Sequence, residues 1–179
     1  MALLGAVLGF LPVGSHAAAM PKAGWTVEYV TSQETVGGNT PASNVFDGNP
    51  NTFWHSQWFN GLAVAPHELQ LDLGTTYSIN QIRYTPRQDS GNGRVGCYRI
   101  FISQDGVNWG APAAEGVFPN TKDVQTINIP ATAGRYVSMF VLNDVNGGSI
   151  AAIAEIDLFG DPLSPSRNEA PDSFVTNNP

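Results

Sequence analysis

The sequence is short of cysteine, of charge and of long apolar runs, and each shortage removes a class of protein. Cys97 is the single cysteine in 179 residues, so no intramolecular disulfide can form, and its place in a strand pattern reads as a small buried hydrophobe. Charged residues make up only 13%, with 8 Lys and Arg against 15 Asp and Glu, a formal net charge of −7. Such a surface repels phosphate backbones and anionic lipid, which argues against nucleic acid and membranes as partners. No stretch reaches the about 18 consecutive apolar residues of a membrane-spanning helix. No window carries a stripe of helical period. A Gly-x-Ser-x-Gly elbow, a His-Glu-x-x-His helix and a phosphate loop are all missing. Carboxylates such as Asp89 and Asp105 are present, but nothing places a pair of them across a cleft. Once residues 1–19 are set aside, only His55 and His67 remain as imidazoles, too few for a copper site.

What the chain does have is glycine (19 residues), proline (13) and a repeated two-residue alternation. Leu69, Leu71 and Leu73 alternate with Gln70 and Asp72. Tyr98, Ile100 and Ile102 oppose Cys97, Arg99 and Phe101, and Ile127 and Ile129 flank Asn128. These segments read as half-buried antiparallel strands. Between them stand the turn signals Asp47-Gly48, Gly91-Asn92-Gly93, Asp105-Gly106 and Asn146-Gly147-Gly148. The expectation is one all-β domain over residues 24–160. Residues 1–19, apolar and ending in small residues, resemble a secretory signal with cleavage after Ala17 or Ala19, which implies an extracellular protein. Residues 161–179, rich in Pro and Asn, read as a disordered tail or linker.

Several segments taken in order resemble the coagulation factor V/VIII type C (discoidin) superfamily, and within it the family 32 carbohydrate-binding modules. They are Ala42 to His55, Leu71-Asp72-Leu73-Gly74, Pro86-Arg87-Gln88-Asp89 with Asn92-Gly93, Ser103 to Gly110, Gly134-Arg135-Tyr136-Val137 and Ile153-Ala154-Glu155-Ile156. The resemblance implies an eight-stranded jelly-roll β-sandwich with its ligand loops at one end. It implies a non-catalytic module that recognises a galactose-containing glycan, with any catalysis in a fused or missing domain. The other readings are the front part of a galactose oxidase-like copper radical oxidase and a discoidin-type adhesion module for protein or lipid.

Asp47, Asn49 and Thr52 sit in one tight loop bent by Gly48 and Pro50. Oxygen donors at this spacing suit Ca2+, which takes six to eight oxygens and accepts backbone carbonyls. The resemblance adds Asn44 from the same loop and, from the last strand, the Ala154 carbonyl and the Glu155 carboxylate. Na+ would satisfy the same donors. An Asx-turn loop capped by Glu155 without metal is the competing reading.

For the sugar, the resemblance points to His55, Arg87 and Asn92 gripping the axial O4 and the neighbouring O3 of galactose. An Arg fork with an imidazole would leave donors unpaired against the wrong epimer. Each also has an ordinary reading: a loop-base histidine, an Arg87–Asp89 surface pair, a turn asparagine. Related modules often present an aromatic from the loop before the last strand, where this chain has Ile150. Trp58 or Phe59 either compensates or packs the loop. Trp25, Trp54 and Trp109 read as structural.

Overall fold

Alternating apolar residues do what their period requires: Leu69, Leu71 and Leu73 are buried, as are Tyr98, Ile100 and Ile102, whereas Asn128 between Ile127 and Ile129 is exposed. The structure, a computed structural model, describes residues 19–163. Seven strands follow in chain order: β1 (Thr26–Val30), β2 (Trp54–His55), β3 (His67–Pro86), β4 (Cys97–Ser103), β5 (Ala114–Val117), β6 (Gln125–Val141) and β7 (Ala152–Pro162). The helical content of the described residues is one 3-10 turn, Ala42–Phe46.

Two long strands build two layers. The first part of β3, His67–Asp72, pairs with β1 and with the end of β6, which continues to β4 and β5. A register shift between Asp72 and Tyr77 then redirects β3, and from Tyr77 it lies between the start of β6 and β7, with β2 on the outer edge of β7. All pairings between strands are antiparallel. Seven strands stand where eight were expected, and β3 and β6, at 20 and 17 residues, each serve both layers without a break. Leu69 and Ile82 of β3, Val137 of β6 and Leu158 of β7 belong to one buried cluster. Full burial of each such side chain is worth about 1.5–3 kcal/mol, which is what holds the layers together.

The expected turns have the backbone they need. Gly93 (φ 77°) and Gly147 (φ 78°) lie in the left-handed region that residues with a Cβ rarely adopt. Residues on either side of 24–160 also contact the fold. Ala19 bridges Phe159 and the Met20 N–H donates to Leu158 O, while β7 runs to Pro162 and the Leu163 N–H reaches Thr76 O. The rest of the signal-like segment and of the Pro/Asn-rich tail lie outside the described residues. Trp25 and Trp54 are buried core residues, and Cys97 is half-buried at the start of β4.

Candidate functional site

His55 reaches its position through the shortest strand. β2 pairs Trp54 with Ile153 and His55 with Ala152, so Trp54 faces inward and donates its indole N–H to Ser32 O, while His55 faces the other way. The His55 ring is buried, and its Nδ1–H donates to Ser56 O at 2.6 Å. That bond fixes the neutral tautomer with Nε2 as a free acceptor. Arg87 follows the last residue of β3. Its guanidinium lies 4.1 Å from the centre of the Phe53 ring, and Nε and Nη2 donate to Asp89 at 2.5 and 3.1 Å. The ordinary reading of Arg87 as a partner of Asp89 is thus realised: the carboxylate takes up the Nε/Nη2 edge, Nη1 donates to Asn92 O at 3.5 Å, and one N–H on each of Nη1 and Nη2 is left over. Arg94 braces the turn from below by donating to Arg87 O at 3.0 Å. Asn92 sits in the following turn, its N–H on Ser90 Oγ.

These three polar residues line one cleft of about 510 Å³. Its apolar wall is Phe53, Trp58, Leu62 and Ile150, and Gly38 and Thr40 close the remaining side. Trp58 and Phe59 part company here. Trp58 lines the cleft, whereas Phe59 packs edge-on against Trp58 with ring centres 6.0 Å apart and stays outside. Ile150, the departure read from the sequence, stands in the wall. It is held by Asp144, whose Oδ1 accepts the N–H groups of Asn146 and Gly148, and by His67 Nε2–H donating to Ser149 O at 2.6 Å.

One residue that the sequence did not single out ties the walls together. Glu34 is almost fully buried at 1% exposure. Oε1 accepts the N–H groups of Val36 and Gly37, and Oε2 those of Trp58 and Phe59 at 2.9 and 2.7 Å. The Phe59 N–H foremost, with the other three, holds the Glu34 carboxyl down at about 2 against the effect of its burial. Phe53 also lines the cleft, a site residue that the sequence did not single out although it lies inside the Ala42–His55 segment that carries the resemblance. Glu34 left no signal, because a lone acid in a polar loop looks solvated.

The imidazoles make the site acid-sensitive. Burial pushes the pKa of both His55 and His67 down, so the fold favours their neutral forms. The unfolded chain therefore binds more protons below about pH 6.5, and stability present above that value is lost as pH falls toward the depressed folded pKa values. The melting temperature is expected to be level from pH 7 to 8 and to drop steadily below about 6.5. Thermal unfolding across that range, with His67→Gln flattening part of the slope, checks it. A profile level down to pH 5 would count against it.

The predicted cation ligands gather at a second place, against β7. Asp47 Oδ1 accepts the Asn49 N–H at 2.8 Å, the Asx-turn of the competing reading, and Oδ2 accepts the Thr52 hydroxyl at 2.6 Å. Asn44 Nδ2 donates to Phe53 O, and its backbone carbonyl accepts the Asp47 N–H at 3.5 Å. Glu155 lies beside Asp47, and its buried Oε1 has no hydrogen-bond partner. Burial, and then the neighbouring Asp47, push the Glu155 carboxyl upward. Ala154 is skipped in the β3–β7 register between the Thr85–Glu155 and Pro86–Ile153 pairs. A bulge of this kind leaves a residue out of the ladder. An orphaned carboxylate oxygen, a bulged carbonyl and the loop oxygens fit a hard cation. No cluster of three or more His, Cys, Asp or Glu side chains placed to hold a metal occurs among the described residues, so such an ion would depend on carbonyl and hydroxyl oxygens.

Residues 29–156 match the F5/8 type C domain family. A sialidase of Micromonospora viridifaciens is 39% identical over 142 residues, 79% of this chain and 22% of that protein. A galactose oxidase of Gibberella zeae is 34% identical over 150 residues, 83% of this chain and 21% of that protein. The chain spans about a fifth of the length of these relatives. Among solved structures, a Clostridium perfringens CBM32 module in complex with GalNAc-β-1,3-galactose superposes with a TM-score of 0.73 at 30% identity, covering 80% of this chain and 100% of that one. A family 32 CBM from the same organism in complex with galactose gives 0.69 at 32%, covering 79% and 97%.

Proposed function

The chain belongs to the F5/8 type C domain family, and from that membership we propose that it is a carbohydrate-binding module for galactose-type sugars. The observation that carries the reading is the convergence of His55, Arg87 and Asn92 in one cleft beside Trp58. A sugar needs polar groups for adjacent hydroxyls and an apolar surface for its C–H face, in a pocket of roughly 300–1,000 Å³. His55 Nε2 accepts a hydroxyl proton, the remaining Arg87 N–H groups donate to two oxygens, and the Asn92 amide does both. Trp58 supplies the flat surface that Ile150 lacks. Two solved neighbours hold galactose-containing sugars, which supports the class of ligand.

One sugar on a shallow site with three polar contacts gives a dissociation constant of about 0.1–10 mM. Calorimetric titration with galactose is expected to fall in that range. Glucose, which turns its O4 away and leaves donors unpaired, should bind about tenfold weaker or worse. Equal affinity for the two epimers, or no binding of any galactoside on a glycan array, would remove the assignment. Useful attachment then comes from a polymeric ligand or from a linked catalytic domain, which the length of the relatives favours. We place the protein outside the cell. A structural Ca2+, or Na+, is held by Asp47, Asn49, Thr52, Glu155 and the carbonyls of Asn44 and Ala154. Its contribution is to tie the loop before β2 to β7, one strand away from His55.

A further inference from the structure

Lys22 was no part of the expected cation site, yet its ammonium lies on it. Nζ bonds Glu155 Oε2 and reaches Asp157 Oδ1 at 2.7 Å. The other Glu155 oxygen, Oε1, is buried and unpartnered, and Asp47 neighbours the same carboxyl group. The lysine is tethered here by its own backbone: the Met20 N–H donates to Leu158 O and the Trp25 N–H to Lys22 O. A cleft of about 290 Å³ opens over the group, lined by Lys22, Gly48, Thr85, Glu155 and Asp157.

We propose that the Lys22 ammonium is a built-in counter-cation that competes with a divalent metal for the Glu155 carboxylate. The inference rests on the cation reading above and adds what controls occupancy. Two acids packed at a half-buried place repel each other, and one positive charge relieves this when no metal is present. A divalent ion entering between Asp47 and Glu155 meets that charge at close range, where screening by water is weak. Asp157, with its side chain 35% exposed, gives the ammonium somewhere to go. Metal entry therefore moves Lys22 off Glu155 and onto Asp157, and the fold tolerates an empty site better than the two acids alone would allow.

The test is Ca2+ titration by calorimetry, with thermal unfolding in calcium and in EDTA, on the wild-type chain, Lys22→Met and Lys22→Arg. Met keeps the stem and removes the charge, so calcium should bind about tenfold tighter or better, and the melting temperature should become far more dependent on calcium. Arg keeps the charge and should stay near the wild type. Unchanged or weaker calcium binding by Lys22→Met, or equal tightening by Lys22→Arg, overturns the proposal while leaving the cation site standing. No calcium response in any of the three proteins overturns both. If Lys22→Met unfolds in EDTA, refolding on calcium addition supports the competition, and unfolding that calcium does not reverse refutes it.

Discussion

Arg87→Ala is expected to abolish measurable galactose binding while leaving the fold intact. A hydrogen bond from a charged donor is worth about 1.5–3 kcal/mol, and the whole complex about 3–5 kcal/mol, so losing one fork moves the dissociation constant by roughly ten- to a hundredfold. From a millimolar start that lies beyond calorimetry. The same change costs the fold little. Arg87 pairs with Asp89, whose side chain is 61% exposed, and an ion pair with so exposed a partner contributes about 0–1 kcal/mol. Arg87→Lys should fail nearly as badly, because one ammonium cannot reproduce a planar fork stacked on Phe53. Galactose affinity within threefold of wild type in Arg87→Ala would show that the cleft does not read the sugar through this residue.

Glu34→Gln should weaken both binding and fold, although Glu34 is not among the cleft-lining residues. The carboxylate offers two oxygens to four N–H groups from two separate loops. An amide keeps one oxygen and turns its own N–H2 toward a pair of donors, which leaves those donors unpaired in a buried place. The loop carrying Trp58 then loses its anchor. The expected result is a melting temperature lower by about 5 °C or more, a red shift in tryptophan emission as Trp58 becomes more exposed, and galactose affinity down about tenfold. A positioning role demands all three together. A lower melting temperature with unchanged affinity, measured well below the transition, would leave Glu34 a stabiliser of the loops and nothing more.

The strands were readable because alternation is a local property. Leu69, Leu71 and Leu73 announce their own face, and so do Tyr98, Ile100 and Ile102, whatever the partners are. The turns were readable for a similar reason, since Gly93 and Gly147 carry the positive φ that their turns require. The cleft was half readable. His55, Arg87 and Asn92 were named from their order along the chain, and the structure brings them together. Whether Trp58 or Phe59 lines the cleft was not decidable, because neighbours in a loop have no fixed period. Ile150 was recognised as a departure; its support by Asp144 is local to the loop, but that by His67 comes from a distant strand.

Lys22 and Glu34 were invisible for a deeper reason. Each acts on residues far along the chain, Lys22 on Glu155 and Asp157 and Glu34 on Trp58 and Phe59, through contacts that no spacing rule encodes. Their role depends on burial, and burial of a charged group is a consequence of packing, not of its neighbours in sequence.

The sequence by itself determined an all-β domain, the faces of its strands, the positions of its turns and a short set of polar residues in a recognisable order. These follow from side-chain alternation, from backbone freedom at glycine and from residue chemistry, all of which act over a few residues. The tertiary structure decided which of those residues share a cleft, which aromatic lines it, how two long strands serve both layers, and that a lysine stands against the acids where a metal was expected. Those outcomes depend on how distant strands pair and pack, and only the folded chain contains that geometry.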